Sequence, residues 1–211
     1  KIVYTGSVGA DALTLAHADG GTDANEFTVN TGAGDDTVTI TNLNDAAADL
    51  LDSKNTINGG DGDDTLVAKA AFHATAGALN STAYALEGIS GFEKIQISDA
   101  HANGGVYNMT NYGANHVIVT TDSTVDAIIS GLTSGATIEF GKAADAIGSV
   151  SAGTDDLAFT LTDKAGADDV LNVVVKNTAG GGLFSLDAQE VETISIDASS
   201  SDQANAFELD I

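Results

Sequence analysis

The chain has 211 residues and is strongly acidic: 31 Asp and Glu residues stand against 7 basic residues, all of them Lys, and the formal net charge is −24. A nucleic-acid partner or an anionic membrane surface would require a basic patch, so this composition argues against both. The absence of Cys excludes disulfides and thiolate metal ligation, and no apolar run reaches the roughly 18 residues that membrane insertion requires.

Strand-like segments rich in Val, Ile and Thr recur along the chain, with Gly, Asn and Asp in the turns between them. The chain starts in one such segment, at residues 2–4, and stops in another, at residues 207–211. We therefore expect it to be a fragment of a longer protein. Two Ala- and Leu-rich stretches, 45–52 and 76–88, are predicted to form short helical turns. The pattern as a whole predicts an all-β protein.

A five-residue pattern, G-x-D-x-U with U a large aliphatic residue, marks turns that precede strands. Asp36 follows Asp11 by 25 residues and Asp64 follows Asp36 by 28, which is far longer than a contiguous nonapeptide repeat. This spacing suits one wide coil per copy and predicts a parallel β-solenoid, or β-helix, whose Gly-Asp turns stack in a column. The copies lie at residues 9–13, 34–38, 62–66, 153–157 and 166–170.

Residues 59–67 complete a longer pattern, G-G-x-G-x-D-x-U-x. Its glycines permit backbone angles that side chains forbid, and they make a tight turn whose carbonyls point inward. Asp64 adds a carboxylate, and Leu66 starts a strand that packs in the core. Calcium prefers carboxylate and carbonyl oxygens, and the pattern resembles the calcium-binding nonapeptide of RTX proteins. The predicted cofactor is therefore Ca²⁺.

The candidate calcium ligands are the repeated Asp carboxylates and the turn residues beside them. A carboxylate at a fixed offset from a Gly turn points to metal binding, and the alternative is an ordinary Asx turn on a solvated surface. Asp35 and Asp63 occupy a variable position and would add charge or a water-bridged contact. The predicted site residues are Asp64, Asp36, Asp11, Gly60, Gly62, Asp61, Gly34, Gly9, Asp63 and Asp35, with Asp155 and Asp168 from the two shorter copies.

A second repeat has a longer period. The sequence Glu-x-Ile-x-Ile at residues 93–97 recurs at residues 192–196, an offset of 99 residues. In both halves a G-x-D-x-U turn comes first. The chain therefore looks like two related calcium-turn units, at 1–110 and 111–211, and we expect the second to be truncated.

Motifs that carry catalysis are missing from the sequence. There is no G-x-S-x-G elbow and no Cys nucleophile, and the four His residues form no closely spaced pair for zinc or copper. Carboxylates are plentiful enough for a glycosidase, but Trp and Arg are absent and aromatic residues make up only 5%. We expect no catalytic residues and no enzyme activity.

The whole chain resembles the secreted RTX-type calcium-binding β-solenoids, and it looks most like the repeat regions of Gram-negative (Caulobacter-type) surface-layer proteins exported by type I secretion. The resemblance rests on residues 59–67, the degenerate copies at 6–14 and 31–39, the strand at 91–97 and the Cys-free composition. In that family calcium drives folding outside the cell and stabilises lattice contacts. The resemblance implies an extracellular structural module that self-associates into a surface lattice or packs on neighbouring domains, with cell-surface polysaccharide as a further partner.

Two other functions stay open at this stage: a segment of an RTX-type adhesin or biofilm matrix, and an accessory domain of a type I-secreted hydrolase. Assembly separates the first from a surface layer, because a surface-layer module should form calcium-induced ordered oligomers whereas an adhesin spacer should stay monomeric. A catalytic domain elsewhere in the parent gene would favour the hydrolase.

Overall fold

The computed structural model describes eleven stretches of the chain: residues 2–16, 27–41, 56–78, 88–101, 104–120, 127–141, 157–163, 165–176, 183–188, 191–199 and 206–210. These stretches contain one helix, α1 (Ala70–Ala78), and a 3₁₀ turn (Met109–Asn111). Their strands are β1 (Ile2–Thr5), β2 (Ala12–Ala16), β3 (Phe27–Asn30), β4 (Thr37–Thr41), β5 (Thr56–Asn58), β6 (Thr65–Ala68), β7 (Ile89–Ser90), β8 (Lys94–Ile97), β9 (Gly105–Asn108), β10 (His116–Val119), β11 (Ala127–Leu132), β12 (Ala136–Phe140), β13 (Leu157–Leu161), β14 (Val170–Val175), β15 (Leu183–Asp187), β16 (Thr193–Asp197) and β17 (Ala206–Asp210).

Each described strand pairs in parallel with a strand two places away in the chain. The even-numbered strands form one eight-stranded sheet from β2 to β16. The odd-numbered strands form a four-stranded sheet from β1 to β7 and a five-stranded sheet from β9 to β17. Successive coils, each with one odd and one even strand, therefore stack on one another. This arrangement confirms the predicted all-β fold, a parallel β-solenoid.

The aliphatic residue of the repeat pattern stacks from coil to coil in the even-numbered sheet. Val38 pairs with Leu13 on one side and with Leu66 on the other. Because alternate residues of a strand face opposite sides, this row determines which residues face the interior. Between Leu13 at one end and Ile196 at the other, which is 37% exposed, the members of the row have an exposed fraction of 0%: Val38, Leu66, Ile95, Val117, Ile138 and Val173.

The two copies of the Glu-x-Ile-x-Ile sequence lie in the same sheet, and the register places the second copy two residues earlier than the first. The first copy forms β8 and the second forms β16, and in each case the Glu directly precedes the strand. Strands β8 and β10 pair across residue 110, where Lys94 lies beside His116. The division into units at 1–110 and 111–211 stays a prediction.

Helix α1 is the main departure from the solenoid within the described residues, and it packs against β9. The Asp99 carboxylate accepts the N–H of Ala70 at 2.6 Å, which satisfies one of the free donors at the start of the helix. His73 is fully buried, with its Nε2 3.1 Å from the Gln96 carbonyl oxygen and its Nδ1 3.0 Å from the Tyr112 hydroxyl. Burial lowers the pKa of His73 to about 4, so a neutral ring joins the helix to β8.

The predicted helical stretch at 76–88 overlaps α1 only at residues 76–78, whereas residues 79–87 and the stretch 45–52 lie outside the described residues. The helix starts earlier than expected because Asp99, a residue of a later coil, supplies the partner for its first N–H. Such a long-range partner leaves no local signal in the sequence. Among the described residues, no helix is long and apolar enough to cross a membrane.

We predict that Ile95→Ala will lower the free energy of unfolding by about 2–5 kcal/mol, because it opens a cavity in a row of stacked aliphatic side chains. Ile128→Ala is the matched control: Ile128 is 39% exposed in β11, so its loss should be much smaller. Urea denaturation of both variants, under the same ionic conditions, measures the difference. Equal losses would contradict the placement of Ile95 in the core.

Candidate metal centre

The Gly-rich turns of the first three coils stack directly on one another through their backbones. The N–H of Ala33 donates to the carbonyl of Ser7 at 3.1 Å, and the N–H of Asp61 donates to the carbonyl of Gly32 at 3.0 Å. Gly60 has φ +100°, and a Cβ at this position would collide with the Gly32 carbonyl oxygen. Glycine is therefore required here both by the backbone angle and by the closeness of the neighbouring coil.

A line of carboxylates runs along the corner where these turns meet the even-numbered sheet. Asp11, Asp36 and Asp64 directly precede β2, β4 and β6, and Glu93 precedes β8. Each of the later side chains accepts the backbone N–H of the acidic residue one coil before it: Asp11 N–H to Asp36 Oδ1 at 2.6 Å, Asp36 N–H to Asp64 Oδ1 at 2.7 Å, and Asp64 N–H to Glu93 Oε2 at 2.8 Å. We call these four residues the corner column.

The middle of the corner column is buried. Asp36 is 1% exposed and Asp64 is 0% exposed, and the Oδ2 atom of each makes no hydrogen bond. Burial of an anionic oxygen without a partner is costly. Accordingly, burial raises the pKa of Asp64; the N–H of Asp36 opposes this shift, and repulsion from the carboxylates of Asp36 and Glu93 adds to it.

The residues of the corner column fit an oxygen-ligated cation such as calcium. The buried Oδ2 atoms of Asp36 and Asp64 are free hard-oxygen ligands of the kind that calcium prefers. The first glycine of the nonapeptide lets this carboxylate lie against the turn, because a Cβ at Gly59 would lie 2.8 Å from Asp64 Oδ2 and would also collide with the Gly91 carbonyl oxygen. In the first coil a Cβ at Gly6 would lie 2.7 Å from Asp11 Oδ2. When bound, calcium would neutralise these carboxylates and join consecutive coils.

The second copy departs from the nonapeptide where Thr31 replaces the first glycine. Thr31 is fully buried, and its hydroxyl donates to the carbonyl of Gly59 in the next coil. Thr31 therefore makes a side-chain hydrogen bond between coils, which the glycine of the complete nonapeptide cannot make. The turn before Asp36 and the turn before Asp64 are consequently different environments.

The remaining predicted turn residues lie beside the column with distinct roles. Gly34 and Gly62 adopt φ +114° and +152°, as the tight turn requires. Gly9 lies opposite Gly34, where a Cβ on Gly34 would come within 2.7 Å of the Gly9 carbonyl carbon. Asp61 contributes its backbone, since its carbonyl accepts the N–H of Gly34 at 2.8 Å.

Asp35 and Asp63, at the variable position, face solvent instead of the corner interior. The N–H of Asp63 donates to Asp35 Oδ1 at 3.1 Å, and Asp63 Oδ2 forms a salt bridge with Lys94 at 2.6 Å. An exposed pair of this kind contributes little to stability. These two residues are therefore not brought together with the buried Oδ2 atoms.

The shorter copies of the pattern give a mixed outcome in the second half of the chain. Asp155 lies outside the described residues, and Asp168 is exposed. The neighbouring Asp169 is buried instead, and its N–H donates to Glu192 Oε2 at 2.9 Å. Sequence reasoning did not assign a role to Glu93 or Glu192. The signal was present, because both begin a copy of Glu-x-Ile-x-Ile and directly precede a strand of the even-numbered sheet.

Side chains alone do not make a complete metal site in the part of the chain that the structure describes, where no group of three or more His, Cys, Asp or Glu residues could hold an ion. The nonapeptide pattern assigns the other ligands to backbone carbonyls. No family model, curated protein or solved structure matches the chain.

We predict that Asp64 makes the calcium-free protein less stable as the pH rises. Because the folded-state pKa of Asp64 is raised above 3.8, its favourable contribution is complete below that pH and is lost as the pH rises through the folded pKa. The free energy of unfolding of the wild type, minus that of Asp64→Asn, should therefore fall across this window. Urea denaturation in EGTA at a series of pH values measures it, and exposed Asp63→Asn is the control. A difference that is constant or grows with pH would contradict the prediction.

Proposed function

We propose that this chain is a calcium-dependent structural module of a secreted bacterial cell-surface layer, which folds and assembles outside the cell when calcium binds. The observation that carries the proposal is the corner column, where the buried Oδ2 atoms of Asp36 and Asp64 have no hydrogen-bond partner. The proposal assigns the chain no catalytic role.

Electrostatics supports a role for a divalent cation in folding. The column places like charges in successive coils, and neighbouring parallel strands are only about 4.8 Å apart. The chain as a whole carries a net charge of −24, which opposes a compact state through self-repulsion. A cation that binds only the folded coils stabilises them by mass action, by about 2.7 kcal/mol when its free concentration is 100-fold above its Kd.

The extracellular part of the proposal follows from the same charge argument and from the sequence resemblance. In a compartment poor in free calcium the acidic chain would stay unfolded and competent for export, and calcium outside the cell would then favour the folded coils. The Cys-free composition and the wide repeat spacing support a surface-layer module. Its proposed partners are further copies or neighbouring domains, with cell-surface polysaccharide as the attachment site.

We predict that calcium raises the stability of the full 211-residue chain and that EGTA removes this increase. Far-ultraviolet circular dichroism and thermal melting, with and without excess EGTA, measure the effect. Asp36→Asn and Asp64→Asn should reduce the calcium-dependent shift in Tm, because Asn can still accept the backbone N–H but has no charge. The matched controls Asp35→Asn and Asp63→Asn alter exposed neighbours and should keep most of the shift. An unchanged β-signal and Tm in EGTA would refute calcium-dependent folding.

We also predict that calcium converts the folded chain into ordered oligomers. Light scattering and negative-stain electron microscopy in calcium, in magnesium at the same ionic strength, and in EGTA provide the measurement. Ordered assemblies that appear with calcium and dissolve with EGTA are the expected result. A chain that binds calcium and stays monomeric would contradict the lattice role and leave only the calcium-dependent solenoid.

A further inference from the structure

A second pair of corner carboxylates lies outside the complete nonapeptide. Asp169 directly precedes β14 and Glu192 directly precedes β16, and these strands are neighbours in the eight-stranded sheet. The N–H of Asp169 donates to Glu192 Oε2 at 2.9 Å, and the N–H of Thr193 donates to the Asp169 carbonyl at 3.0 Å. Asp64, Glu93 and Lys94 make the same two bonds, at 2.8 Å and 3.0 Å. The backbone therefore presents the two carboxylate pairs in the same way.

This second pair is separate from the corner column. Strand β14 is three strands away from β8, roughly 14 Å at about 4.8 Å per strand. The register also differs: Lys94 is level with His116, His116 with Thr137, and Thr137 with Asn172. Glu93 is therefore level with Leu171, and Asp169 lies two residues before Leu171. A ligand at one pair would not bridge to the other.

One oxygen of the buried Asp169 carboxylate has no hydrogen-bond partner. The residue is 6% exposed, and its Oδ2 atom makes no hydrogen bond. An ionised carboxylate in this situation needs a counter-charge. The carboxylate lies against Gly166, where a Cβ would be 2.8 Å from Oδ1 and would collide with Oδ2. The carboxylate can therefore lie at this place only because residue 166 has no side chain.

The second carboxylate of the pair gives access from solvent. Glu192 is exposed, so an ion could exchange water for its carboxylate and then reach the buried oxygen of Asp169. Two carboxylates and neighbouring carbonyls are hard oxygen ligands, which suit calcium better than softer metals. The flexible coordination of calcium also tolerates mixed buried and exposed ligands, whereas magnesium demands near-ideal octahedral geometry.

We propose that Asp169 and Glu192 form a second calcium-class cation site, independent of the corner column. The inference rests on the proposed function and extends its calcium dependence to the second half of the chain, where it pairs Asp169 with Glu192, a residue to which the sequence patterns assigned no role. Asp168, which the pattern selected, faces solvent and is not a ligand of this site. The site joins the coil of β14 to the coil of β16.

Isothermal titration calorimetry of CaCl₂ into the calcium-free full chain tests this site. Asp169→Asn should abolish one binding event, whereas the adjacent Asp168→Asn, which removes the same charge from an exposed position, should keep it. Glu192→Gln should weaken the affinity of the same event by more than about tenfold, because the loss of a residue that only orients a metal ligand already costs about that much. Glutamine retains the acceptor for the Asp169 N–H, and the position is exposed, so this variant tests the site even if Asp169→Asn does not fold.

Comparison with Asp64→Asn distinguishes this site from the corner column. If Asp64→Asn loses a binding event while Asp169→Asn and Glu192→Gln bind as the wild type does, the second site is overturned and the proposed function stands. If Asp169→Asn and Glu192→Gln lose a binding event while Asp64→Asn keeps every event of the wild type, the second site stands. In that case the corner column is not a calcium site. Equal losses in Asp168→Asn and Asp169→Asn would indicate only general charge attraction and would also overturn it.

Discussion

The structure depends on one arrangement: the carboxylate at the corner of one coil accepts the backbone N–H of the acidic residue in the coil before it. At this corner the strand has not yet begun, so the N–H of Asp36 has no partner in the sheet, and Asp64 supplies one. A hydrogen bond to a charged acceptor is stronger than a neutral one. The same bond, however, fixes the carboxylate inside the solenoid and leaves its second oxygen without a partner. The contact that aligns the coils therefore also buries an anionic oxygen, which a cation would neutralise under the proposed function.

Glycine makes this arrangement sterically possible. At Gly166 the missing side chain lets a buried carboxylate lie against the backbone, and at Gly60 it lets two backbones approach. At Gly59 it does both, because a Cβ there would collide with the Gly91 carbonyl oxygen and with Asp64 Oδ2. These are different reasons for the same residue type, and the spacing of the glycines in the sequence does not distinguish them. Thr31 occupies the position in its coil that Gly59 occupies in the next one. Its hydroxyl donates a hydrogen bond to the next coil, which a glycine cannot do. The stacking of coils is thus preserved where the complete motif is not.

Much of the fold could be predicted from the sequence because both the strand period and the coil period are visible in it. The spacing of Asp11, Asp36 and Asp64 predicted one coil per copy, and the observed hydrogen bonds connect residues 25 and 28 positions apart. The second half was less predictable because a one-residue shift in a strand exchanges its two faces. The G-x-D-x-U pattern selected Asp168, but Leu171 occupies the core, so the residue two before it, Asp169, faces inward. Only the strand register resolves this choice.

The apolar row and the acidic corners act in opposite directions on the stacking of the coils. The buried row passes through Val38, Leu66 and Ile95 and continues to Val173, beyond the last member of the corner column. Its burial favours stacking in every coil, whether or not a carboxylate is present. The buried anions oppose stacking at particular corners only. A cation that neutralises those corners removes a local penalty, and because the coils share continuous sheets, this local change alters the stability of the whole stack.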